Sequence, residues 1–450
     1  MDVLQVARDA IDTGPLCDPC LGRLVADRSF GLTNAERGKG LRVALALQAD
    51  EPYEPPEEPC WVCEEESAAY DGWAERAAAA VRGYDFATYQ VGTTVPPLLE
   101  ENDALLREEV GLEPEAGEAI NAEFNREVGK RFGALTDAEV DFQRPDVLVV
   151  LDLATETVDA RVNSAFVYGR YRKLERDIPQ TEWPCRECNE TGIKGGEECP
   201  GCGGTGYRYD RSVEELTAPA VREAMDGAEA VFHGAGREDV DALMLGTGRP
   251  FVIEVTEPRV RDVDTEALEA EVNEYADGAV EVEGLRLATH DMVERVKEHD
   301  ASKTYRMTVA FEAPVTAGAL DAALETLAGA TVAQETPQRV DHRRASKTRT
   351  RTVYAAEGHL VDAAGDGAAP DRSADRAEVE VHGEGGLYVK ELVSGDEGRT
   401  EPSLAGELGV GATVTALDVL AVEGEDAAFA QPDYFRPGVE VDDPRARTDE

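Results

Sequence analysis

Gly236-Arg-Glu-Asp-Val-Asp-Ala-Leu-Met-Leu-Gly-Thr-Gly-Arg-Pro250 runs directly into the apolar stretch Phe251-Val-Ile-Glu-Val255. Glycines frame the segment, and Arg237 stands two residues before Asp239. In an extended segment, residues two apart leave the backbone on one face. An arginine beside an aspartate favours the ionised carboxylate and orients its oxygens, so Asp239 is a candidate nucleophile or base at neutral pH. The competing reading is a surface ion pair at a turn, which contributes little. Asp241 shares the face and reads as structural. The preceding Gly234-Ala-Gly236 is not a dinucleotide loop, because Asp239 stands where that fingerprint needs glycine. His233, alone at a strand end, reads as structural.

Upstream, Ser212 to Met225 reads as a helix capped by Ser212, with Glu214 and Glu215 in its first turn. Before it, Tyr168-Gly-Arg-Tyr-Arg-Lys-Leu174 groups cations and aromatics. Arg170, Arg172 and Lys173 are candidate phosphate contacts, with Tyr171 or Trp183 stacking on a base or packing the fold. The alternative is a solvated strand edge.

Downstream, Lys303 to Phe311 alternates cleanly and places Tyr305, Met307, Val309 and Phe311 on one face. Tyr305 is thus a core-face aromatic at the end of its stripe, where a core can also floor a pocket. Arg339 to Arg351 sets six Arg and Lys side chains against one acid, a composition suited to polyanions. Arg343, Arg344 and Lys347 are its candidate polyanion contacts; the alternative is a hairpin that neutralises the protein's own acids. A strand near Glu378 to His382 leads to Gly383-Glu-Gly-Gly-Leu-Tyr-Val-Lys390, where Tyr388 and Lys390 share a face if extended. A helix near Ser403 to Leu408 and a strand from Thr413 to Val422 close this region. Residues 436–450 read as a disordered acidic tail.

Nearer the start, Asn34 to Gln48 and Ala68 to Val81 read as helices. Gly117 to Phe132 reads as another, ended by Gly133. Asp146 to Asp152 reads as a central strand and Thr157 to Tyr168 as a looser one. The eight cysteines form four Cys-x-x-Cys pairs: Cys17/Cys20, Cys60/Cys63, Cys185/Cys188 and Cys199/Cys202. Two pairs complete a tetrahedral thiolate site of the structural zinc kind, so the chain is expected to hold one or two zinc ions. Cys199-Pro-Gly-Cys202-Gly-Gly-Thr-Gly206 also resembles the zinc repeat of J-protein chaperones. No His-Pro-Asp occurs in the chain, however, and the first knuckle lacks the matching glycine.

Composition sets the class. The 450 residues suffice for two or three domains. Ninety-three acidic against 45 basic residues give a net charge of −48, far beyond what solubility requires, and describe a surface adapted to concentrated salt. The opening Met1-Asp-Val-Leu-Gln-Val-Ala-Arg-Asp has neither the basic start nor the apolar core of a signal peptide. No apolar run is long enough to span a bilayer, so a cytoplasmic protein that does not engage membranes is expected.

Taken together, Gly236-Arg-Glu-Asp-Val-Asp, Gly248-Arg-Pro-Phe-Val, Gly169-Arg-Tyr-Arg-Lys, Ile178-Pro-Gln-Thr, Lys303-Thr-Tyr-Arg, Leu387-Tyr-Val-Lys and Gly398-Arg-Thr resemble the archaeal tRNA pseudouridine synthase family that acts on uridines 54 and 55 of the T loop. The similarity covers nearly the whole chain, and the acidity resembles a haloarchaeal member. The resemblance implies an α+β protein: an N-terminal zinc-binding segment (1–65), a THUMP-like α/β RNA-binding domain (66–168) and a pseudouridine synthase core (169–435). That core would have a mixed, largely antiparallel sheet and a zinc-ribbon insertion at 185–206. It places the family's catalytic aspartate on Asp239 with Arg237 beside it, its substrate-contacting tyrosines on Tyr305 and Tyr388, and its basic residue on Lys390. Leu387 and Leu243 depart from the threonine and arginine common there. The implied partner is tRNA, with no cofactor for catalysis and no nucleotide cofactor. The alternative is a non-catalytic zinc-dependent tRNA-binding protein; a THUMP-bearing methyltransferase or thiolase is disfavoured, because neither the glycine-rich cofactor loop nor the nucleotide-binding loop is present.

Overall fold

A computed structural model describes residues 2–234, 240–297, 301–338, 347–361, 372–423 and 431–436. Two units partition the chain: Met1–Ser164 with Glu257–Arg261, and Ala165–Thr256 with Asp262–Glu450.

The first unit begins with α1 (Val3–Asp12), α2 (Asp18–Arg23) and α3 (Asn34–Ala49). Thr33 and Glu36 close a reciprocal capping box that starts α3. Helices α2 and α3 meet backbone to backbone: a Cβ on Gly22 would lie 1.9 Å from the Asn34 carbonyl oxygen, and one on Gly38 2.0 Å from that of Asp18. Only glycine allows this approach, which fixes the α2 knuckle bearing Cys17 and Cys20. Then follow α4 (Tyr70–Ala80), β1 (Thr88–Thr94), α5 (Pro97–Glu109), α6 (Ile120–Thr136), β2 (Glu139–Val140), β3 (Val147–Asp152) and β4 (Thr157–Val162). The sheet order is β2-β1-β3-β4, with β1 parallel to β2 and β3, and β4 antiparallel to β3. Trp73, Phe124, Phe132 and Val149 share one buried core with Leu21, Val62, Cys20, Cys60 and Cys63, so residues 2–65 and 66–164 pack as a single body.

Two sequence readings change here. Helix α6 passes through Gly133 and ends at Asp137, whose φ of 57° is left-handed. A Cβ at Gly133 would lie 2.6 Å from the Tyr89 hydroxyl, so this glycine serves a close helix-to-strand contact instead of a cap. The stretch 157–168 is also two strands. Asn163 closes β4 by giving its backbone N–H to Asp146 O (2.9 Å) and its amide to Pro145 O (2.6 Å), and the chain then enters a different sheet.

The second unit comprises β5 (Ala165–Lys173), β6 (Ile193–Lys194), β7 (Glu197–Glu198), α7 (Val213–Ala224), β8 (Glu229–Gly234), β9 (Leu243–Thr256), α8 (Thr265–Tyr275), β10 (Val280–Ala288) and α9 (Asp291–Lys297). It continues with β11 (Ser302–Thr316), α10 (Ala317–Leu327), β12 (Thr331–Gln334), β13 (Arg349–Leu360), β14 (Ser373–Gly383), α11 (Val389–Ser394), β15 (Thr400–Glu401), α12 (Leu404–Leu408) and β16 (Ala412–Glu423). The main sheet runs β10-β5-β9-β16-β11-β14-β13-β12-β15, with β8 paired to β9. Its pairings are antiparallel except for β16 beside β9. The expected mixed, largely antiparallel sheet is therefore present. β11 is central, between β14 and β16, and its alternation buries Met307, Val309 and Phe311. Leu320, Leu324 and Leu327 of α10 cover this core beside Val353 and Val379.

After β14 the expected extended run is instead a turn and a helix. Gly386 (φ 81°) reverses the chain, and Val389, Leu392 and Val393, spaced one helical turn apart, are buried. Tyr388 is the residue that caps α11, so Tyr388 and Lys390 do not share a strand face. Among the described residues, no helix is long and apolar enough to cross a membrane.

Candidate active site and metal centres

Strands β8 and β9 are antiparallel neighbours, with Gly234 opposite Phe251. Their connection carries Arg237 and Asp239, which lie outside the described residues, as do Arg343 and Arg344. What the structure defines is the segment that follows Asp239. The Val240 carbonyl accepts hydrogen bonds from Lys173 Nζ (3.0 Å) and the Asp177 N–H (3.0 Å). Arg176 donates to the Asp241 carbonyl (2.8 Å) and pairs with Asp418 (2.7 Å). Asp418 in turn accepts from the Leu243 N–H (3.3 Å). Two cations and one acid, Lys173 of β5, Arg176 of its following loop and Asp418 of β16, thus hold residues 240–243 in place.

Lys390 meets this segment, and Tyr305 packs against the cluster that includes the residue after it, Met244. Lys390 Nζ lies 3.6 Å from Asp241 Oδ2, so Asp241, read from sequence as structural, is an ion-pair partner of the basic residue. Tyr305 is half-buried and packs against Met244 and Val419 as well as against the main core. Tyr388, also half-buried, heads the helix that carries Lys390.

The cations of β5 divide by strand alternation. Arg170 and Arg172 face outward and Lys173 inward. Arg170 donates to Thr247 O (2.6 Å) and Gly248 O (3.0 Å); Arg172 pairs with Glu281 (3.1 Å) and Glu283 (3.2 Å). Lys173 is fully buried, with its ammonium on Ile178 O (2.8 Å) and Val240 O, so it is not a phosphate contact. Its burial follows from period two: the residue between two outward arginines and the residue after them must face the core. Tyr171 is buried for the same reason, edge-on to Phe232 and Phe251, and is no stacking platform. Lys347 is exposed, its backbone tied to Thr336.

Among the described residues, two groups of side chains have metal-binding geometry: Cys17, Cys20, Cys60 and Cys63, and Cys185, Cys188, Cys199 and Cys202, with sulfurs within 4.8 Å of one another in each. Cys17 and Cys63 sulfurs are 3.7 Å apart, Cys185 and Cys199 3.9 Å, and Cys188 and Cys202 3.7 Å. A tetrahedral zinc thiolate with Zn–S of about 2.3 Å needs sulfur edges of about 3.8 Å, so both quartets fit such an ion. The surroundings suit thiolates too. Arg23 Nη2 stands 3.5 Å from Cys20 Sγ while pairing with Asp103 at 2.7 Å, and the Gly206 N–H donates to Cys202 Sγ at 3.2 Å.

Comparison with known proteins agrees with this architecture. Residues 166–423 match the family model "Pus10, C-terminal", and residues 73–152 match "Pus10 THUMP domain, archaeal". A Halorubrum lacusprofundi protein named tRNA pseudouridine synthase Pus10 is 68% identical over 437 residues, which cover 97% of this chain and 100% of that protein. Proteins of the same name from Methanothrix thermoacetophila and Pyrococcus furiosus are 40% and 35% identical, covering 94% and 93% of this chain and 95% and 98% of theirs. With the THUMP sheet, the mixed synthase sheet and both cysteine quartets present in one chain that aligns from end to end with these relatives, the protein belongs to the Pus10 family.

Proposed function

We propose that this protein is a tRNA pseudouridine synthase, an isomerase that converts uridines 54 and 55 of the T loop to pseudouridine in the cytoplasm. The observation that carries the reading is the 68% identity, over 97% of the chain, to a protein of that named activity. The reaction breaks the bond from ribose C1′ to uracil N1, turns the base and joins C1′ to C5; C5 then loses its proton and N1 gains one, so that the net change is an isomerisation. It needs no redox partner and no group donor, only a carboxylate and a dry pocket.

Asp239 is the group assigned to attack the sugar or take a proton from it. Arg237 beside it in sequence favours its ionised form. Lys390, 3.6 Å from Asp241, brings a second cation to the base of the same loop. Tyr305 stacks on the target base or assists loss of the C5 proton, and Tyr388 contacts the substrate. The target uridine leaves its stack to reach them. Arg170, Arg172, Arg343, Arg344 and Lys347 meet tRNA phosphates. Each cysteine quartet holds one zinc ion, which organises its knuckles and takes no part in the isomerisation.

The test is to incubate unmodified tRNA with wild type and Asp239→Ala in high salt and to map pseudouridine. Wild type is expected to modify both T-loop positions and the variant neither. Full activity in Asp239→Ala would remove the site assignment, and tRNA binding without any product in wild type would point to a binding protein.

A further inference from the structure

Gln334 is the last residue of β12, and its backbone lies between Arg349 of β13 and Thr400 of β15. Its side chain is fully buried and is not spent on that sheet. The amide nitrogen donates to the Tyr388 carbonyl at 2.9 Å, and the amide oxygen accepts the Tyr388 N–H at 2.9 Å. One side chain thus satisfies both backbone groups of a single residue distant in sequence. Among side chains that fit this buried space, only an amide offers a donor and an acceptor side by side.

Tyr388 is where such a clamp matters. It opens α11 without any side-chain capping bond, and its carbonyl also accepts the Leu392 N–H at 2.9 Å. A helix of six residues has little stability of its own. Its cap residue, Tyr388, is held from outside the helix, by β12.

We infer that Gln334 is a positioning residue of the active site: its amide fixes the backbone of Tyr388, and with it the direction of the Tyr388 ring and of Lys390 on α11. The inference rests on the proposed substrate role of Tyr388 and Lys390. Gln334 itself touches no reacting atom. It acts by holding a contact residue in the narrow range of orientations that a positioned group needs.

The experiment compares wild type, Gln334→Met, Gln334→Glu, Tyr388→Ala and Val332→Ala. It measures single-turnover pseudouridylation at saturating enzyme, tRNA affinity by filter binding, and thermal stability. Methionine keeps the volume and loses both bonds; ionised glutamate keeps the acceptor and loses the donor. Val332 is a fully buried neighbour on the same strand and serves as a packing control. The expected result is a rate at least tenfold lower in both Gln334 variants with tRNA affinity within twofold of wild type. Val332→Ala should melt earlier yet keep its rate within twofold. A wild-type rate in Gln334→Met, or an equal rate loss in Val332→Ala, overturns the clamp. Tyr388→Ala separates the two claims. If it is slow while Gln334→Met is not, the clamp fails and the site reading stands; if Tyr388→Ala turns over at the wild-type rate, the site reading fails and takes the clamp with it.

Discussion

Arg23, Glu123 and Lys173 are ionisable groups from which water is excluded, each 1% exposed or less. Arg23 lies between Asp103 (2.7 Å) and Glu123 (3.5 Å), and Asn34 donates to Glu123 at 3.0 Å. Burial nevertheless dominates at Glu123, pushing its pKa from the ordinary 4.5 up to about 7. A carboxyl group raised on folding stabilises the protein fully below its unfolded value, and that contribution is lost as pH rises through the folded value. The window is therefore pH 4.5 to 7, and the size is on the order of 1–3 kcal/mol. Glu123→Gln, which cannot ionise, is expected to flatten the fall in unfolding free energy of the first unit between pH 5 and 8. Denaturant titrations of both proteins across that range, at fixed zinc, check it; parallel curves would show that Glu123 is ionised throughout. Lys173 illustrates what was legible at this scale. Its cationic character drew it into a group of RNA contacts, whereas the two-residue period of its own strand already separated it from Arg170 and Arg172.

At the scale of elements, the two cysteine quartets differ in what surrounds them. The first lies inside the core formed by Leu21, Val62, Trp73 and Phe124, and Arg23 ties one of its sulfurs to Asp103 of α5. The second has a small cluster of its own, made of Cys185, Cys188, Cys199 and Cys202. Ligand loss should therefore act at different ranges. Cys60→Ser is expected to abolish cooperative folding of the first unit, since a structural zinc contributes about 10 kcal/mol or more, comparable with the whole stability of a domain. Cys185→Ser should release one zinc equally well yet leave the main melting transition within a few degrees of wild type. Metal analysis with calorimetry measures both; unfolding of the entire chain by Cys185→Ser would show that the knuckle is not local. Element type was mostly readable from pattern, as in α7, which runs Val213–Ala224 with Ser212 as its cap, where the sequence reads a helix from Ser212 to Met225. Where the reading failed, at Gly133 and after Gly383, the deciding partner was a distant strand or core.

For the whole molecule, a net charge of −48 makes the compact state repel itself wherever salt does not screen it. The Debye length falls from about 10 Å at 0.1 M to about 3 Å at 1 M, so the melting temperature should rise as KCl is increased over that range. tRNA affinity should also fall less steeply with salt than for a basic RNA-binding protein, because few cations are available to displace counterions. A melting curve indifferent to salt, or a steep affinity slope across the same series, would contradict this account. The sequence by itself determined what depends on local spacing and composition: the cysteine knuckles, the strand and helix periods, the caps, the acidity, and the motifs that mark the family. Tertiary structure decided which elements share a core, which arginines are already paired, that Lys390 meets Asp241, and that Gln334 holds Tyr388. The physical reason is range. Periodicity and ligand spacing are properties of neighbouring residues, whereas burial and hydrogen-bond pairing between β12 and α11, or between α11 and the β8–β9 connection, exist only once the sheet has brought distant segments together.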